Sequence, residues 1–396
     1  MNVAIITGLY ATDDFPSGGA FINERLKELR KTEIPFHVYA ISRRYSLGMK
    51  LVYKYLLKSD LKNRTVVPWD SNSDFSVIYD TVNVPLFIIS LIIPNLYWKL
   101  KRKSLLRRIF VTHDTVIHAH WAYPHGFFAI ELAQELNLKS VITCHGSDIH
   151  SAPKISPLLR KVTVNTIQSS DKTIFVSHAL LSSAIEMGYD GINSTVIPNG
   201  VDINRFFPVE KSIALEKTGW TQSRRHVVGF VGNLIPIKRA DKFVEIFTRI
   251  QQQVGDVEFI LVGDGELAEN IRVACQNAGL LVTFTGRISH DDICYWMNLF
   301  DVMILPSRNE GWPCVVLEAY ACGTPVVGAD NGGVAEAMGG LCPSIEDGDG
   351  FEERFADAVS KILIDKFPIN SKQLITHARE LTWRKCVEKE IKIYNQ

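Results

Sequence analysis

Residues 309–326 read NEGWPCVVLEAYACGTPV, and this stretch indicates how the second half of the chain folds. It begins soon after the apolar run Val302–Leu305, passes Gly311 and enters a helix predicted over 312–321, and a second apolar run follows over 325–327. Two short apolar runs joined by a helix are the pattern of a parallel β-α-β unit. The stretch therefore predicts a parallel sheet with helices packed on it.

The same alternation of short apolar runs and helical patterns extends along the rest of the chain. Further predicted strands cover 3–7, 36–41, 116–119, 140–143, 173–176, 194–197, 227–231, 257–262 and 282–284. Predicted helices cover 18–31, 126–136, 179–187, 241–252, 266–278 and 373–394. Repeated β-α-β units predict an α/β fold, with two Rossmann-like doubly wound domains that face a central cleft.

The domain boundary is predicted in a polar stretch. Residues 198–202, Pro-Asn-Gly-Val-Asp, have turn chemistry, and the residues from there to Arg225 are rich in Lys, Glu and Gln. We therefore expect an N-terminal domain over 1–205 and a C-terminal domain over 206–375. A last helix, over 376–396, is expected to cross back to the N-terminal domain.

Charge is balanced over the whole chain but not along it. The 43 Lys and Arg residues match the 43 Asp and Glu residues, which argues against a nucleic-acid partner held by a bulk positive field. Residues 1–200 carry 22 basic and 16 acidic side chains, and residues 201–396 carry 21 and 27. Within 25–110 there are 17 basic and 6 acidic residues, so the positive charge is local.

Seven cysteines, an odd number with no Cys-x-x-Cys spacing, favour a reduced environment. The N-terminal residues MNVAIITG show no signal-peptide pattern and indicate a buried strand that ends in a turn. We therefore expect a cytoplasmic protein. Segment 86–108 leaves open a peripheral attachment to the inner face of the cell membrane.

The most apolar segment, 86–93, lies between Pro85 and Pro94 and is too short to span a bilayer. Aromatic and basic residues follow it: Tyr97, Trp98, Lys99, Lys101, Arg102, Lys103, Arg107 and Arg108. A core helix followed by a solvated basic helix is one interpretation. Peripheral contact of 86–108 with an anionic membrane surface is the other, and the charge excess over 25–110 slightly favours it.

Two carboxylates in the opening stretch are candidate ligand-binding groups. Glu310 precedes the predicted helix, and Glu318 lies within it, on the order of 10 Å away if the intervening residues are helical. Carboxylates accept hydrogen bonds from hydroxyls, and backbone N–H groups at a helix start bind anions. For isolated residues, a capping Glu and a solvated Glu would be the more common interpretation.

Other strand ends carry further candidates. Lys238 follows the predicted strand 227–231 and could hold a phosphate, although a lone lysine there is more often a surface residue. Gly18 and Gly19 precede the first helix, where glycine allows close approach of a ligand. His118 and His145 each follow or end a strand; a lone histidine in that position is usually a structural hydrogen-bonding group, and we keep that interpretation for His118.

Together these motifs resemble the family-four retaining glycosyltransferases with the GT-B fold, of the bacterial polysaccharide and glycolipid type. The resemblance covers nearly the whole chain. Its carriers, in order, are Gly18-Gly19, 118–121 (HAHW), 143–148 (TCHGSD), 176–177 (VS), 197–202 (IPNGVD), 232–234 (GNL) with Lys238, 262–265 (VGDG) and the block from Glu310 to Glu318.

The resemblance implies a role for each matching residue. The implied catalytic residues are His145 beside the donor sugar, Glu310 at its hydroxyls and Lys238 at the diphosphate. The implied donor-binding groups are Gly18 and Gly19 at the phosphates, N–H groups near Gly311, Trp312 and Pro313, Glu318 at the ribose, and Arg287 at the nucleobase. The N-terminal domain would bind the acceptor and the C-terminal domain the nucleotide sugar.

The chain departs from the family at one position. Asn233 stands where the family usually has an arginine that shares the diphosphate with the lysine. Asparagine offers donors but no charge, which should weaken leaving-group stabilisation. Arg239 is the candidate replacement, and both residues are predicted to contact the donor.

The implied reaction is transfer of a hexose from a UDP- or GDP-sugar to an acceptor hydroxyl with retention, by same-face attack through an oxocarbenium-like state. The expected acceptor is a lipid-linked glycan in cell-surface polysaccharide or lipopolysaccharide synthesis. The nucleotide sugar is a co-substrate, and no cofactor or metal is required; Asp347 and Asp349 are expected in a solvated loop. An epimerase or phosphorylase of the same fold, or a non-catalytic sugar-nucleotide binding protein, remains the alternative.

Overall fold

The structure is a computed structural model. It describes residues 1–12, 18–56, 65–67, 74–86, 89, 93, 96–97, 99–101 and 107–396. Contacts divide the chain into two units. The first contains Met1–Val176, Leu180–Ile197 and Val387–Gln396, and the second contains Ser177–Ala179 and Pro198–Cys386. The domain boundaries given above stay predictions.

The first unit is built on a parallel sheet with the order β3-β2-β1-β4-β5-β6-β7. Its strands are β1 Asn2–Thr7, β2 Phe36–Tyr45, β3 Phe75–Val82, β4 Thr115–His120, β5 Lys139–Cys144, β6 Lys172–Phe175 and β7 Ser194–Val196. Its helices are Ala20–Leu29, Leu47–Leu56, Phe127–Leu136, Ser147–His150, Ala152–Ile155, Pro157–Ser169 and His178–Glu186, with a π-helical turn at Ala122–Gly126.

The second unit repeats the arrangement with the order β10-β9-β8-β11-β12-β13. Its strands are β8 His226–Val231, β9 Val257–Val262, β10 Val282–Gly286, β11 Val302–Leu305, β12 Val326–Ala329 and β13 Ser344–Ile345. Its helices are Lys211–Thr218, Phe243–Val254, Ala268–Asn277, Ile293–Met297, Cys314–Ala321, Val334–Met338, Phe351–Leu363 and Ser371–Glu380, with 3-10 turns at Pro236–Lys238 and Ala240–Lys242.

The central strands of these parallel sheets are buried on both faces. All six residues of β9 are buried, and so are the six of β4, including its two histidines. Helices cover both faces of such sheets, so buried parallel strands are nearly continuous apolar runs. The helix Phe243–Val254 packs on this sheet through two phenylalanines: the Phe247 ring is stacked 4.1 Å from that of Phe259 in β9, and the Phe243 ring lies 4.8 Å from that of Phe230 in β8. The α/β fold with two Rossmann-like doubly wound domains is confirmed.

The C-terminal segment differs from its prediction. One helix was predicted over 373–394, but the chain forms two, Ser371–Glu380 and Trp383–Asn395. Between them the carbonyl oxygen of Leu381 accepts a hydrogen bond from the N–H of Val201 (2.9 Å), and Thr382 forms a β-bridge with the same residue. This tertiary pairing interrupts the helix, and the last helix then ends in the first unit.

The segment proposed to contact a membrane, 86–108, lies partly outside the described residues, because 87–88, 90–92, 94–95, 98 and 102–106 are not among them. Where the structure describes helices, none combines the length and the apolar character needed to cross a bilayer. All seven cysteines are free thiols.

Candidate functional site

In each sheet the direction of the chain crossovers reverses at one point. In the second unit, β8 is followed by β9 on one side, and β11 is followed by β12 on the other. In the first unit the same reversal lies between β1 and β4. Ligands of open α/β sheets bind outside the carboxyl ends of strands at such a switch point. The loops that follow these four strands are therefore the places to look for functional side chains.

At the switch point of the second unit, a lysine and a glutamate are brought together. Lys238 ends the short turn Pro236–Lys238 after β8, and Glu310 lies in the loop after β11. Lys238 Nζ lies 2.5 Å from Glu310 Oε1, and both side chains are partly exposed, at 22% and 14%. The two residues predicted to act on the diphosphate and the sugar are thus neighbours, although they are 72 positions apart.

Arg308 holds the lysine turn against the glutamate loop. Its backbone N–H donates to the Ile237 carbonyl oxygen at 2.8 Å, and its guanidinium donates to the Pro236 carbonyl oxygen. The guanidinium also binds Asp241 through both carboxylate oxygens, at 2.6 and 2.7 Å, and lowers the pKa of that carboxyl. Sequence reasoning did not identify this contact, because it depends on the conformation of the turn.

The loop that carries Glu310 continues into the helix Cys314–Ala321. Pro313 is the N-cap of this helix, with extended backbone at φ −82 and ψ 95. Proline has no N–H group, so the backbone donors predicted near Pro313 can only be those of its neighbours. A second loop supports the first: the Gly333 N–H donates to the Glu310 carbonyl oxygen at 2.9 Å. At Gly332 (φ 61) a Cβ would lie only 2.1 Å from that oxygen, so only glycine fits there.

Glu318 lies in the same helix and is 14% exposed. Its Oε1 is 3.3 Å from Nε2 of His290, in the loop after β10. Arg287 is exposed at the beginning of that loop. His290 was not identified from the sequence.

The two donor-site candidates beside Lys238 differ in their placement. Asn233 is exposed two residues after β8. Arg239 is 5% exposed and has left-handed backbone (φ 56). Its guanidinium lies 3.8 Å from the centroid of the Phe351 ring and 2.7 Å from Asp347 Oδ1, so it is engaged there and not beside Glu310. Residues 346–350, the loop expected to be solvated, are exposed, and Asp347 in this loop is also held by the ion pair with Arg239. A diphosphate role for Arg239 stays a prediction that this placement does not favour.

Next to the switch point of the first unit, His145 follows β5, the strand that pairs with β4. Its Nε2 lies 2.9 Å from Nδ1 of His120, and its ring centroid lies 4.8 Å from that of Phe21 and 4.7 Å from that of Trp121. Burial, with Arg25 adding an unfavourable charge, lowers the pKa of His145 well below its usual range. The imidazole of His145 is therefore neutral at neutral pH.

Asp148 fixes the backbone around His145. Its carboxylate accepts hydrogen bonds from the N–H groups of His145 (3.1 Å), Gly146 (2.9 Å) and Ala122 (3.0 Å). Asp148 is 2% exposed, and it ties the loop after β5 to the loop after β4. The sequence motif contained this residue, but only the structure shows what it binds.

His118 lies near the end of β4, and Gly18 and Gly19 precede the first helix, as the sequence predicted. His118 is 1% exposed and hydrogen-bonds through Nδ1 to the Tyr394 hydroxyl and through Nε2 to Thr143 Oγ1, both at 2.7 Å. Gly19 has left-handed backbone (φ 69) as the N-cap of the helix Ala20–Leu29, and Gly18 precedes it. His118 is thus a structural hydrogen-bonding group, while donor contact by the two glycines stays a prediction.

Comparisons with known proteins agree with the predicted family and fold. The family model described as "Glycosyltransferase Family 4" matches residues 51–205, and the one described as "Glycosyl transferases group 1" matches residues 225–365. A Bacillus subtilis protein named as the teichuronic acid biosynthesis glycosyltransferase TuaC is 25% identical over 349 residues, 86% of this chain and 83% of that protein. A GDP-mannose-dependent phosphatidylinositol monomannoside mannosyltransferase of Mycobacterium tuberculosis is 27% identical over 273 residues, 66% and 70% of the two chains.

Among solved structures, Alr3699/HepE of Anabaena in complex with UDP superposes with a TM-score of 0.73 over the full length of both chains, at 18% identity. The same protein has been solved with UDP-glucose.

Proposed function

Because the chain belongs to the family-four glycosyltransferases and has the GT-B fold, we propose that it transfers a hexose from a nucleotide-diphosphate sugar to an acceptor hydroxyl with retention of configuration. The observation that carries this proposal is the Lys238–Glu310 pair at the switch point of the second unit. A cation and a hydroxyl-binding carboxylate within one hydrogen bond of each other suit the junction between a phosphate and a sugar.

Lys238 and the N–H groups before the helix Cys314–Ala321 would stabilise the diphosphate as it leaves. The lysine ammonium has three donors, so it can keep Glu310 as a partner and bind a phosphate oxygen as well. Charge that develops on the leaving phosphate is stabilised by donors that are already in place. Glu310 would orient the donor sugar through its hydroxyls, and Glu318 would bind the ribose.

His145 is proposed to contact the donor sugar in its neutral form. A retaining reaction by same-face attack passes through an oxocarbenium-like sugar, on which positive charge develops. Because burial keeps the pKa of His145 low, the ring can hydrogen-bond without opposing that charge. The departing phosphate oxygen, rather than a protein base, would then accept the proton of the acceptor hydroxyl.

The names of the relatives support proposals for the donor nucleotide and for the acceptor. A structural neighbour binds UDP and UDP-glucose, and a relative is named for use of GDP-mannose, so both UDP- and GDP-sugars are candidate donors. Relatives named for teichuronic acid biosynthesis and for a phosphatidylinositol mannoside favour a glycan or lipid-linked acceptor in cell-surface polysaccharide or glycolipid synthesis.

The helix Leu47–Leu56 supports a contact with an anionic membrane surface. Its exposed apolar side chains recur at every fourth position: Leu47 (74% exposed), Leu51 (46%) and Tyr55 (71%). Lys50 and Lys54 are its charged residues, and it contains no acidic residue. An apolar stripe flanked by lysines binds anionic lipid surfaces. We propose peripheral attachment through this helix together with 86–108.

Turnover of UDP- and GDP-sugars tests the catalytic proposal. Lys238→Met and Glu310→Gln are each expected to lower kcat by roughly a hundredfold or more, as loss of a transition-state donor does. The matched control is the surface pair Lys242→Met and Glu245→Gln, whose side chains are 40% and 41% exposed in the same unit. Equal activity in site and control variants, or no turnover of any nucleotide sugar by the wild-type protein, would refute the proposal. The anomeric configuration of the product, read by NMR, tests retention.

Sedimentation with anionic liposomes tests the membrane proposal. Changing Leu47, Leu51 and Tyr55 together to Ser should lower the bound fraction at least about tenfold, since each buried apolar side chain contributes roughly 1.5–3 kcal/mol. Ile192→Ser, at a position 85% exposed elsewhere in the first unit, is the control. Binding that is unchanged in the triple variant would exclude this helix as the contact.

A further inference from the structure

A chain of hydrogen bonds ends on the carboxylate of Glu318. Arg205 Nη1 lies 3.0 Å from Nδ1 of His290, and Nε2 of His290 lies 3.3 Å from Oε1 of Glu318. Arg205 is itself held by Asp291, whose Oδ1 lies 2.8 Å from the Arg205 Nε. All four residues belong to the second unit, and Arg205 is only 17% exposed.

The chemistry of the three groups fixes the direction of the hydrogen bonds. An arginine guanidinium can only donate, so Nδ1 of His290 must accept from Arg205. The proton of the neutral imidazole is then on Nε2, which donates to Glu318 Oε1.

The turn after 198–202 brings Arg205 to this place. The N–H groups of Arg205 and Phe206 donate to the Asp202 carbonyl oxygen at 3.1 and 2.9 Å, which closes the turn. Phe206 is 1% exposed, and its ring meets the His290 ring edge-on with the centroids 5.4 Å apart. The two successive residues thus restrain His290 in different ways, one by a hydrogen bond and one by packing.

We propose that Arg205 and His290 are positioning residues that orient the Glu318 carboxylate toward the ribose, and that they thereby set a preference for ribonucleotides over analogues that lack the 2′- and 3′-hydroxyls. With Oε1 held by Nε2 of His290, the carboxylate can no longer rotate freely, so the direction of Oε2 is also fixed. A fixed carboxylate accepts from the ribose hydroxyls without first losing rotational freedom. The inference rests on the proposed function, because it takes Glu318 as the ribose ligand.

The test compares the affinities of two probes by isothermal titration calorimetry, UDP and its 2′,3′-dideoxy analogue, with GDP and dideoxy-GDP as the parallel pair. Wild-type protein is expected to bind the ribonucleotide about ten- to a hundredfold tighter, the range of a charged hydrogen bond. His290→Leu should lose most of this ratio while its affinity for the dideoxy probe stays within about twofold. His290→Gln, which keeps one donor and one acceptor, should retain the ratio.

Two further variants separate positioning from folding. Arg205→Lys keeps a donor toward Nδ1 and should retain most of the preference, whereas Arg205→Met should lose part of it. The matched control is His226→Leu, at the amino end of β8, which should leave both affinities unchanged. A variant that merely disturbs the fold would weaken ribo and dideoxy probes equally, and that result would contradict the inference.

The outcomes also distinguish this inference from the proposed function. If wild-type protein binds neither UDP nor GDP, the proposed function fails and the inference fails with it. If wild-type protein prefers the ribonucleotide but His290→Leu keeps the same ratio, the proposed function stands and the positioning role of His290 is refuted.

Discussion

Acid should destabilise the first unit through histidines that fold in their neutral form. Burial, with Arg25 adding to it, lowers the pKa of His118 from 6.5 to about 3, and burial with a contribution from Arg43 does the same for His125. The pKa values of His120 and His145 are also lowered, mainly by burial. Between pH 6.5 and 3 the unfolded chain therefore binds more protons than the folded one, and the free energy of unfolding falls as the pH falls.

The magnitude follows from the pKa values of His118 and His125. A histidine with a pKa of 6.5 unfolded and about 3 folded loses about 1.4 kcal/mol of stabilisation between pH 7.5 and pH 5.5. His118 and His125 together account for about 3 kcal/mol, and the other two histidines act in the same direction. Since small domains are stable by only about 5–15 kcal/mol, this loss is a large part of the total.

The assay is urea denaturation at pH 7.5 and 5.5, followed by hydrogen exchange of peptides from β4 so that the first unit is observed by itself. His125→Phe keeps a ring but removes the titrating group, and the loss between the two pH values should shrink by about 1.4 kcal/mol. Any packing penalty of the larger ring is the same at both pH values and cancels. His113→Phe, at an exposed position, is the matched control. If wild type and His125→Phe lose equal free energy on acidification, His125 does not fold in its neutral form and the reasoning fails.

Three further predictions concern single interactions. Arg25 and Glu390 form a buried ion pair, with side chains that are 3% and 5% exposed. Arg25→Met should therefore lower the free energy of unfolding in urea by about 3–5 kcal/mol, and adding Glu390→Leu should recover much of that loss. A double variant as unstable as the single one would contradict this. Asn370→Ala removes the side chain that caps the helix Ser371–Glu380 and should lower the free energy of unfolding by about 1 kcal/mol. An unchanged midpoint in urea denaturation would contradict this prediction. Asn233→Arg adds a cation beside Lys238 and should raise kcat/KM for the nucleotide sugar about tenfold; an unchanged or lower value would show that the position does not contact the diphosphate.

The central strands of both sheets could be predicted closely because burial on both faces leaves a clear sequence pattern. The predicted strand 257–262 coincides with β9, and those over 3–7 and 227–231 miss β1 and β8 by one residue. β3 and β13, which lie at sheet edges, were not predicted. Polar residues such as Asp80 interrupt the apolar pattern of β3, and β13 has only two residues.

Strand ends explain why Lys238 and Glu310 could be placed together from the sequence. Each follows a central strand, and the carboxyl ends of neighbouring parallel strands lie at the same edge, so only the strand order had to be known. The neighbouring Arg239 could not be placed in this way. Its left-handed backbone turns the side chain toward Phe351 and Asp347, which lie more than one hundred positions further along the chain.

Like the contacts of Arg239, the contact of Arg205 with His290 could not be predicted from the sequence, because it depends on the conformation of a loop and not on the end of a strand. The turn at 198–202 was predicted as a turn, but its sequence does not show that the next residues would meet a histidine 85 positions away. Strand-end residues supply the groups that touch a ligand, since the sheet alone fixes their positions. The groups that orient them come from loops, whose conformations depend on packing with distant parts of the chain. Functional residues of the first kind can therefore be read from a sequence, whereas positioning residues of the second kind require coordinates.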